Sequence, residues 1–473
     1  MALASSRTAS GRLVERSQWL SDIDPARPSA NALQGPSRAD VAIIGGGFVG
    51  LWTAISIKQL DPSVAVSLLE MNRCGDGASG LNGGFVMSWW PKVSSLIAAC
   101  GRDDALWLAD ETSRAVEELG SFVDGHGHDV EFRKSGWLWS ATSPAHVGAW
   151  NGVLRSTEAL GRGDVFREVS RDEIARRTGS DAHLAGVFEA VNGTVHPARL
   201  TLALRSIAEA MGVAIYEGSP VMRIEHGEPA RLTTPNGTVA ADRVVVATNA
   251  WAASEASLAR RFVCVGSAVV ATPPIPERLE RIGWTGGESV TDSQSAVTYY
   301  RTTRSGRVIF GKGGGRLFYS GKPSNNVFQD AKGIGEALDD FRRVYPALAD
   351  VPIERSWSGP IDRTWDSLPL IGSFGRARNL FYGVGWSGNG VNPSRLGGRI
   401  LAGLALGRKE RWTENGLVNR KVWPFPPEPF RYLGGSVVRA AVARKDRAEI
   451  ERRRVSPIDK LLSRLAPAGL EDK

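Results

Sequence analysis

Val-Ala-Ile-Ile-Gly-Gly-Gly-Phe-Val-Gly, residues 41–50, is the stretch of sequence that decides the fold of this chain. Its four apolar residues predict a strand, which ends in a glycine turn with the spacing G-x-G-x-x-G. The pattern then predicts a helix over residues 49–60, a turn at Asp61-Pro62 and a second strand over residues 64–69. These elements together predict one βαβ unit of a doubly wound sheet.

The glycine turn predicts a binding site for a cofactor that carries two phosphates. Gly45 allows the tight turn, Gly47 lets backbone N–H groups approach a pyrophosphate, and Gly50 lets the helix pack closely on the strand. The N-terminus of the helix adds a positive potential. Glu70 follows twenty residues after Gly50, at the end of the next strand, where its carboxylate is placed to accept hydrogen bonds from a ribose.

Length and composition are those of a globular enzyme. A chain of 473 residues predicts two connected domains, and 42% apolar with 23% charged residues is ordinary for a soluble protein. No stretch approaches the ~18 apolar residues of a membrane-spanning helix, and the N-terminal region lacks the apolar core of a secretory signal. Three widely spaced cysteines, Cys74, Cys100 and Cys264, argue against a disulfide framework and a cysteine metal cluster. We therefore expect a cytoplasmic protein without a bound metal.

The net charge of +8 is concentrated near the C-terminus. Between Arg439 and Arg464, basic residues alternate with Asp and Glu at helical spacing, which is typical of a solvated helix face. A contact with a protein partner, an anionic lipid or another subunit is the alternative interpretation. No nucleic-acid-binding module accompanies the charge, so we expect no nucleic-acid partner.

Further motifs carry a resemblance to a known family. Residues 75–84 contain Gly-Ala-Ser-Gly-Leu-Asn-Gly-Gly, residues 244–251 end a strand with Ala-Thr-Asn-Ala-Trp, and residues 385–391 read Gly-Trp-Ser-Gly-Asn-Gly-Val. Over residues 38–410 the chain resembles the D-amino acid oxidase-like superfamily of flavoproteins. Within it, the γ-glutamylputrescine oxidases and the aminophosphonate oxidoreductase-like members are the most similar.

The resemblance implies a noncovalent FAD. Gly359 stands where sarcosine oxidases carry the cysteine that attaches flavin, and Leu81 and Asn82 stand where other relatives carry a histidine. The residues expected to contact FAD are Gly45, Gly47, Phe48, Val49, Gly50, Glu70, Met71, Gly77, Ala78, Ser79, Asn82, Gly83, Gly84, Val221, Thr248, Asn249, Trp251, Gly385, Gly388, Asn389, Gly390 and Val391.

The predicted fold is mixed α/β, with a Rossmann-type FAD-binding domain interleaved with a substrate domain built on an antiparallel sheet. Short alternating apolar runs bounded by Gly, Ser and Pro predict the strands of the substrate domain. The predicted division is an N-terminal arm (1–38), three FAD-domain segments (39–130, 191–260 and 361–410), two substrate-domain segments (131–190 and 261–360) and a C-terminal extension with a basic helical tail (411–473).

The substrate is expected to face the strand pair Tyr299–Arg301 and Arg307–Arg316, where an arginine is suited to pair with a carboxylate or phosphonate. A surface strand with solvated arginines is the alternative interpretation. The catalytic candidates are Tyr300, Arg301, Lys312, Trp386 and Asn389. Lys312 lies three residues after Ile309, which aligns with the oxygen-activating lysine of sarcosine oxidases, so either O2 or another acceptor takes the electrons.

The expected reaction is oxidation of a C–N bond in a small amine or amino acid. FAD takes the hydride at N5, and the resulting imine hydrolyses to an aldehyde or keto acid. Aminophosphonates and γ-glutamyl polyamines are candidate substrates, and the substrate can be anionic. The first alternative is an FAD-dependent hydroxy-acid or polyol-phosphate dehydrogenase, which needs a catalytic base beside the flavin. The second is a flavin-binding protein without catalysis.

Overall fold

The computed structural model describes residues 17–24, 29–375 and 377–468. Residues 1–16 and 25–28 of the predicted N-terminal arm lie outside this part of the chain. In chain order, the strands of the described residues are β1 (Gly35–Ile44), β2 (Val66–Leu69), β3 (Phe85–Val86), β4 (Trp137–Ala141), β5 (Arg167–Val169), β6 (Ala185–Glu189), β7 (Gly193–Thr194), β8 (Ala214–Tyr216), β9 (Arg223–Glu225), β10 (Ala230–Thr233), β11 (Gly237–Val246), β12 (Val263–Ala271), β13 (Ser289–Asp292), β14 (Thr298–Thr302), β15 (Val308–Lys312), β16 (Arg355–Arg363), β17 (Leu370–Phe374) and β18 (Ala377–Val384).

The helices connect and cover these strands. In chain order they are α1 (Gln18–Ser21), α2 (Phe48–Leu60), α3 (Val93–Cys100), α4 (Arg102–Gly125), α5 (Asn151–Ala159), α6 (Arg171–Thr178), α7 (Pro197–Ala210), α8 (Pro276–Ile282), α9 (Ala331–Val344), α10 (Pro393–Ala405), α11 (Arg411–Glu414), α12 (Phe430–Ile450) and α13 (Pro457–Ser463). None of them, within the described residues, combines the length and apolarity needed to cross a bilayer.

The first sheet has the strand order β17-β18-β11-β1-β2-β8, and β10 and β9 extend from β11 as antiparallel neighbours. β1 lies in the middle and pairs in parallel with β2 on one side and β11 on the other. The last four residues of β1 are fully buried and apolar, as expected for a strand covered on both faces. The predicted βαβ unit of β1, α2 and β2 is therefore confirmed.

The second sheet has the order β16-β12-β15-β14-β13-β4-β6-β5. It is antiparallel except between β13 and β4, which run parallel. The two strands come from separate segments of the chain, so no hairpin turn fixes their relative direction. The predicted antiparallel sheet is therefore present, with one parallel pair in it.

The chain passes back and forth between the two sheets, which is the interleaved α/β fold that the sequence predicts. β1, β2, β8–β11, β17 and β18 belong to the first sheet, and β4–β6 and β12–β16 to the second. Two predicted boundaries fall inside strands and are corrected. β1 begins at Gly35, within the segment predicted as an arm, and β16 continues through residue 360 to Arg363 because these residues stay paired with β12.

The two faces of the second sheet have different surroundings, because helix α9 covers only one of them. Tyr300 and Phe310 lie opposite each other on β14 and β15, stack at 4.7 Å between ring centroids, and pack with Phe341 of α9. Side chains alternate along a strand, so Tyr299 and Ile309 point to the opposite face of the second sheet, which is turned towards the part of the chain that contains the first sheet. This alternation decides which side chains reach the site.

Candidate active site

The glycine turn after β1 has the geometry that its spacing predicts. Gly45 has a φ of +110°, and a Cβ placed there would lie 2.5 Å from the Ala247 carbonyl oxygen. A Cβ on Gly47 would lie 2.8 Å from Ser79 Oγ, and one on Gly50 would lie 1.9 Å from the Gly45 oxygen. Each position is therefore closed to a larger side chain, and the backbone at the start of α2 is left accessible from the cavity.

Glu70 lies at the end of β2, beside the glycine turn. Its carboxylate accepts hydrogen bonds from the backbone N–H of Gly46 (2.7 Å) and of Asn72 (2.9 Å). Burial raises the pKa of Glu70 to about 7. The side chain also lines the cavity, where its oxygens are suited to accept hydrogen bonds from hydroxyl groups of a ribose.

A cavity of about 760 Å³ runs from the glycine turn to the second sheet. The volume lies within the roughly 300–1,000 Å³ of small-molecule and cofactor sites. All the residues expected to contact FAD line it except Gly50, Gly84 and Gly385. These three shape the surrounding backbone instead. A Cβ on Gly84, for example, would lie 2.4 Å from the Val195 oxygen, and Gly385 donates its N–H to Asp362.

Two polar atoms in the cavity wall fit a bound dinucleotide. Thr248 Oγ1 and Asn249 Oδ1 are buried, and the described part of the chain supplies neither with a hydrogen-bond partner. Buried polar groups are rarely left in that state, because the desolvation penalty is about 1–3 kcal/mol each. The hydroxyl, phosphate and amino groups of FAD are partners of the required kind. The hydrogen-bonding groups of the cavity wall therefore fit this cofactor.

The Gly75–Gly84 segment is held rigidly against the glycine turn. Ser79 Oγ accepts the backbone N–H of Phe48 at 2.9 Å, and so covers one amide of the first turn of α2. Asn82 Nδ2 donates to the carbonyls of Ala78 and Ser79, and its Oδ1 accepts from Gly84 N–H at 2.8 Å. These local bonds keep the segment along the cavity wall, as the family resemblance implies.

The closing loop, residues 385–391, is folded around a buried carboxylate. Asp362, at the end of β16, accepts the backbone N–H of Gly385 (2.5 Å) and of Trp386 (3.0 Å). Burial raises the pKa of Asp362 to about 7, and these backbone bonds counteract the shift. Asp362 was not identified from the sequence, since a lone aspartate in a strand carries no motif.

Trp386 and Asn389, two of the predicted catalytic residues, line the cavity. The Trp386 ring packs on α10, where a Cβ on Gly397 would lie 2.2 Å from the ring. Helix α10 begins at Pro393, and Asn392 Nδ2 donates to the carbonyls of Met87 and Thr112 at 2.9 Å. The loop, the helix and the segment after Gly84 are thus tied together at one end of the cavity.

The second sheet contributes the wall opposite the closing loop. Tyr299 of β14 lines the cavity, its hydroxyl lies 2.9 Å from Ser267 Oγ, and its ring meets Phe85 edge-on at 5.8 Å. Burial raises the pKa of Tyr299 to about 12, so the phenol keeps its proton at neutral pH. Ser267 and Thr291 also line the cavity, and we call Tyr299, Ser267 and Thr291 together the second-sheet wall.

Three predicted catalytic residues lie elsewhere, and their expected positions are corrected. Tyr300 is fully buried on the α9 face of the sheet. Lys312 lies on the same face, where its ammonium donates to Asp340 of α9 (2.7 Å) and to Gln294 (2.8 Å). The physical reason is strand alternation. Neighbouring residues of β14 point to opposite faces of the sheet, so the residue next to one that faces the cavity faces the core under α9.

Arg301 is on the cavity side of β14 but does not line the cavity. Its Nη1 donates to the carbonyls of Gly84 (3.1 Å) and Val195 (2.9 Å), and its guanidinium lies over the Trp19 ring. Burial lowers the pKa of Arg301 to about 9. The side chain therefore supports the backbone that borders the cavity and is in no position to pair with a substrate carboxylate.

Lys92 is a cavity-lining residue that the sequence did not single out. It lies just before α3, is almost fully buried, and faces the cavity together with Phe85 and Met87. It follows the tryptophan-rich run Trp89-Trp90, but no motif marks a lysine at this place. Only the packing of this segment against the second sheet brings it to the cavity.

No cysteine or histidine occurs among the described residues that line the cavity. Gly359 is in the wall, and a Cβ there would lie 3.0 Å from Leu81 Cβ. The usual anchors for a covalent flavin are therefore absent from this part of the structure.

Solved structures confirm the class of fold. Glycine oxidase from Geobacillus kaustophilus superimposes with a TM-score of 0.65 at 22% identity, covering 79% of this chain and 96% of that one. L-proline dehydrogenase from P. horikoshii gives a TM-score of 0.61 at 21% identity, covering 79% and 95%. The fold is thus mixed α/β, with two large sheets and a cavity suited to a dinucleotide.

The family model for DAO, FAD dependent oxidoreductase, matches residues 40–404. The chain therefore belongs to the DAO family of FAD-dependent oxidoreductases, and FAD is its cofactor. It is 30% identical to a probable oxidoreductase OrdL of Rhizobium meliloti, over 90% of this chain and 94% of that protein. It is 29% identical to gamma-glutamylputrescine oxidoreductase of Escherichia coli, over 84% and 91%.

Proposed function

We propose that the protein oxidises the C–N bond of a small amine or amino acid that carries an anionic group. FAD supplies the acceptor for the hydride that leaves the α-carbon. The neutral amine thereby becomes an iminium, which water hydrolyses to an aldehyde or keto acid and an amine. The names of the related proteins, gamma-glutamylputrescine oxidoreductase and glycine oxidase, support a substrate of this class.

The observation that carries the proposal is how the carboxylates of the described cavity wall are placed and engaged. The carboxylates among its described residues are Glu70, Asp76 and Asp362. Glu70 and Asp362 accept backbone hydrogen bonds, and Asp76 lies in the segment along the glycine turn. An alcohol must lose its hydroxyl proton during oxidation, which calls for a positioned base. A neutral amine has a lone pair that assists loss of the hydride directly, so this wall suits an amine better.

The contribution of the wall is then to position and desolvate the amine. Phe85, Met87 and Trp386 present apolar surface, while Tyr299 holds a protonated hydroxyl next to Ser267. Excluding water favours the neutral amine over its ammonium form, and it is the neutral form that reacts. Fixed orientation of the α-carbon contributes the remaining rate enhancement.

The charges of the wall support an anionic substrate. Lys92 is buried at the end of the cavity that faces the second sheet, and Lys322 lies exposed at its rim. Asp362, the carboxylate that β16 of the second sheet contributes to the wall, is engaged by the backbone N–H groups of Gly385 and Trp386. A carboxylate, phosphonate or γ-glutamyl carboxylate is therefore matched by a positive charge, and Lys92 takes the role that the sequence assigned to Arg301.

Anaerobic mixing of the purified holoenzyme with a substrate panel tests the proposal. The panel contains glycine, sarcosine, γ-glutamylputrescine and 2-aminoethylphosphonate, with lactate, malate and glycerol 3-phosphate as the hydroxyl counterparts. We expect the visible flavin absorbance to bleach with at least one amine and with none of the hydroxy compounds. Bleaching by a hydroxy compound alone contradicts the proposal, and the absence of bleaching with a protein that dithionite still reduces supports a binding protein.

A further inference from the structure

The C-terminal helices carry most of the exposed apolar surface of the described chain. Large apolar side chains with more than half of their surface exposed number nine among the described residues, and six of them belong to α12, α13 and the turn that follows. These six are Phe430, Leu433, Val437, Ile458, Leu461 and Leu465. Such a concentration marks an interaction surface, since scattered exposed apolar residues are the ordinary state of a monomer.

α12, and α13 with the turn that follows it, each contribute three of these side chains at the spacing of one helix face. Leu433 and Val437 are four residues apart on α12, with Phe430 three residues before Leu433. Ile458, Leu461 and Leu465 repeat the pattern on and just after α13. α12 and α13 pack on each other, and Arg444 of α12 donates to Asp459 of α13 at 2.6 Å. We call this unit the C-terminal hairpin.

The hairpin is anchored to the protein through other residues. Asp446 accepts the backbone N–H groups of Ser295 (3.1 Å) and Ala296 (2.8 Å), and is itself buried. Glu449 lies 3.2 Å from the ring of His146. The outward apolar face is thus presented by a docked element, and exposure of these six residues is not a consequence of a detached tail.

The same hairpin holds most of the net charge. Residues 430–465 contain ten Lys and Arg but four Asp and Glu, which accounts for six of the eight net positive charges of the chain. Apart from Arg444, which pairs with Asp459, the exposed basic side chains lie on the C-terminal half of α12, in the turn between the two helices, and on and just after α13. They are Arg447, Arg452, Arg453, Arg454, Lys460 and Arg464.

We propose that the C-terminal hairpin docks the protein on the surface of an anionic lipid bilayer. Exposed apolar side chains at helical spacing, in a hairpin rich in exposed arginine and lysine, are the composition of helices that lie in the membrane interface. Anionic headgroups attract the basic side chains while the apolar ones insert among the acyl chains. Self-association through this face is disfavoured, because it places two surfaces with the same charge against each other.

The proposal is independent of the proposed function, since none of the hairpin residues lines the cavity. Substitutions on the outer face are therefore expected to leave flavin content and turnover in lipid-free buffer unchanged. Failure of the substrate panel leaves the membrane proposal standing, and failure of membrane binding leaves the oxidation chemistry standing.

Flotation of the holoenzyme with vesicles tests the proposal. One set contains phosphatidylcholine alone, and the other contains roughly 30 mol% phosphatidylglycerol. We expect at least about tenfold more bound protein on the anionic vesicles, and release of most of it at about 0.5 M NaCl, where screening is strong. No difference between the two sets, or no binding to either, overturns the proposal.

Two double variants separate the contributions of the apolar side chains and of the charges. Leu433→Ser/Leu461→Ser and Arg447→Glu/Arg454→Glu are each expected to lower binding to anionic vesicles about tenfold. Arg155→Glu/Arg231→Glu is the matched control, since it makes the same change at exposed arginines of α5 and β10 and should bind as the unchanged protein does. If the serine variant instead converts a dimer in light scattering to a monomer without vesicle binding, the surface is a contact between two copies and the proposal is overturned.

Discussion

Tyr299 of β14 lies directly opposite Gly311 of β15, and a Cβ on Gly311 would lie 2.1 Å from Tyr299 Cζ. Gly83 approaches the same ring from the cofactor side, where an added Cβ would lie 2.9 Å away. The tyrosine ring therefore occupies a slot that only glycine leaves open. The slot fixes the phenol hydroxyl beside Ser267 and so defines the second-sheet wall of the cavity.

Gly311→Ala should displace the Tyr299 ring into the cavity. Displacements of about 1 Å at a catalytic site lower rates by as much as ~100-fold, so we expect kcat/KM to fall ~10–100-fold with unchanged flavin content. Gly266→Ala is the matched control, because this glycine of the neighbouring strand β12 has no atom closer than 3.5 Å to an added Cβ. Equal kinetics in the two variants would contradict the role assigned to the slot.

Lys92→Met should discriminate between charged and neutral amines. Removing a charge-assisted hydrogen bond costs about 1.5–3 kcal/mol, which corresponds to a rise in KM for an anionic amine of roughly 10–100-fold. Neutral amines should be affected much less, and Lys92→Arg should retain part of the preference. Steady-state kinetics with matched pairs such as an amino acid and its amide make this comparison. A uniform change for both members of each pair assigns Lys92 to another role.

Arg301→Leu tests the correction of the predicted substrate arginine. The change removes the hydrogen bonds to the Gly84 and Val195 carbonyls, and we expect the free energy of unfolding to fall by about 2 kcal/mol. KM measured at saturating FAD should change by less than about threefold. The control Arg304→Leu breaks an exposed pair with Asp129 and should cost about 0.5 kcal/mol or less. A large KM effect of Arg301→Leu with normal stability would restore its substrate role.

The buried carboxyl of Glu189 should make the free energy of unfolding depend on pH. It is buried, it accepts hydrogen bonds from Ser88 and Asn192, and burial raises its pKa to about 7. A carboxyl whose folded pKa lies above its unfolded value of 4.5 contributes stability that is complete below 4.5 and is lost as the pH rises to about 7. Glu189→Gln lacks this titration. Relative to the variant, the unchanged protein should lose about 3 kcal/mol between pH 4.5 and 7 in urea unfolding, and parallel curves would contradict the account.

The cofactor half of the site could be predicted from the sequence because backbone geometry carries it. Gly45 and Gly47 are required by the turn itself, Glu70 by its place at the end of β2, and Gly388 and Gly390 by their place in the cavity wall. Such requirements restrict the residue type at a fixed position. The residues that bind the cofactor can therefore be identified from the sequence without knowledge of the rest of the fold.

The substrate half could not be predicted in the same way. The alternation along β14 shows that Tyr299 and Tyr300 face opposite sides, but only the packing of α9 decides which side is core. Arg301 has the residue type of a carboxylate ligand, and its backbone partners arise from segments more than a hundred residues away. Lys92 reaches the cavity through tertiary packing alone.

The central claim, that FAD is held noncovalently between the glycine turn and the closing loop, is tested by the flavin content of the purified protein. We expect a yellow protein with one FAD per chain, all of which enters the supernatant after acid precipitation. A colourless protein that takes up no FAD on refolding, or flavin that stays with the precipitate, would contradict the claim.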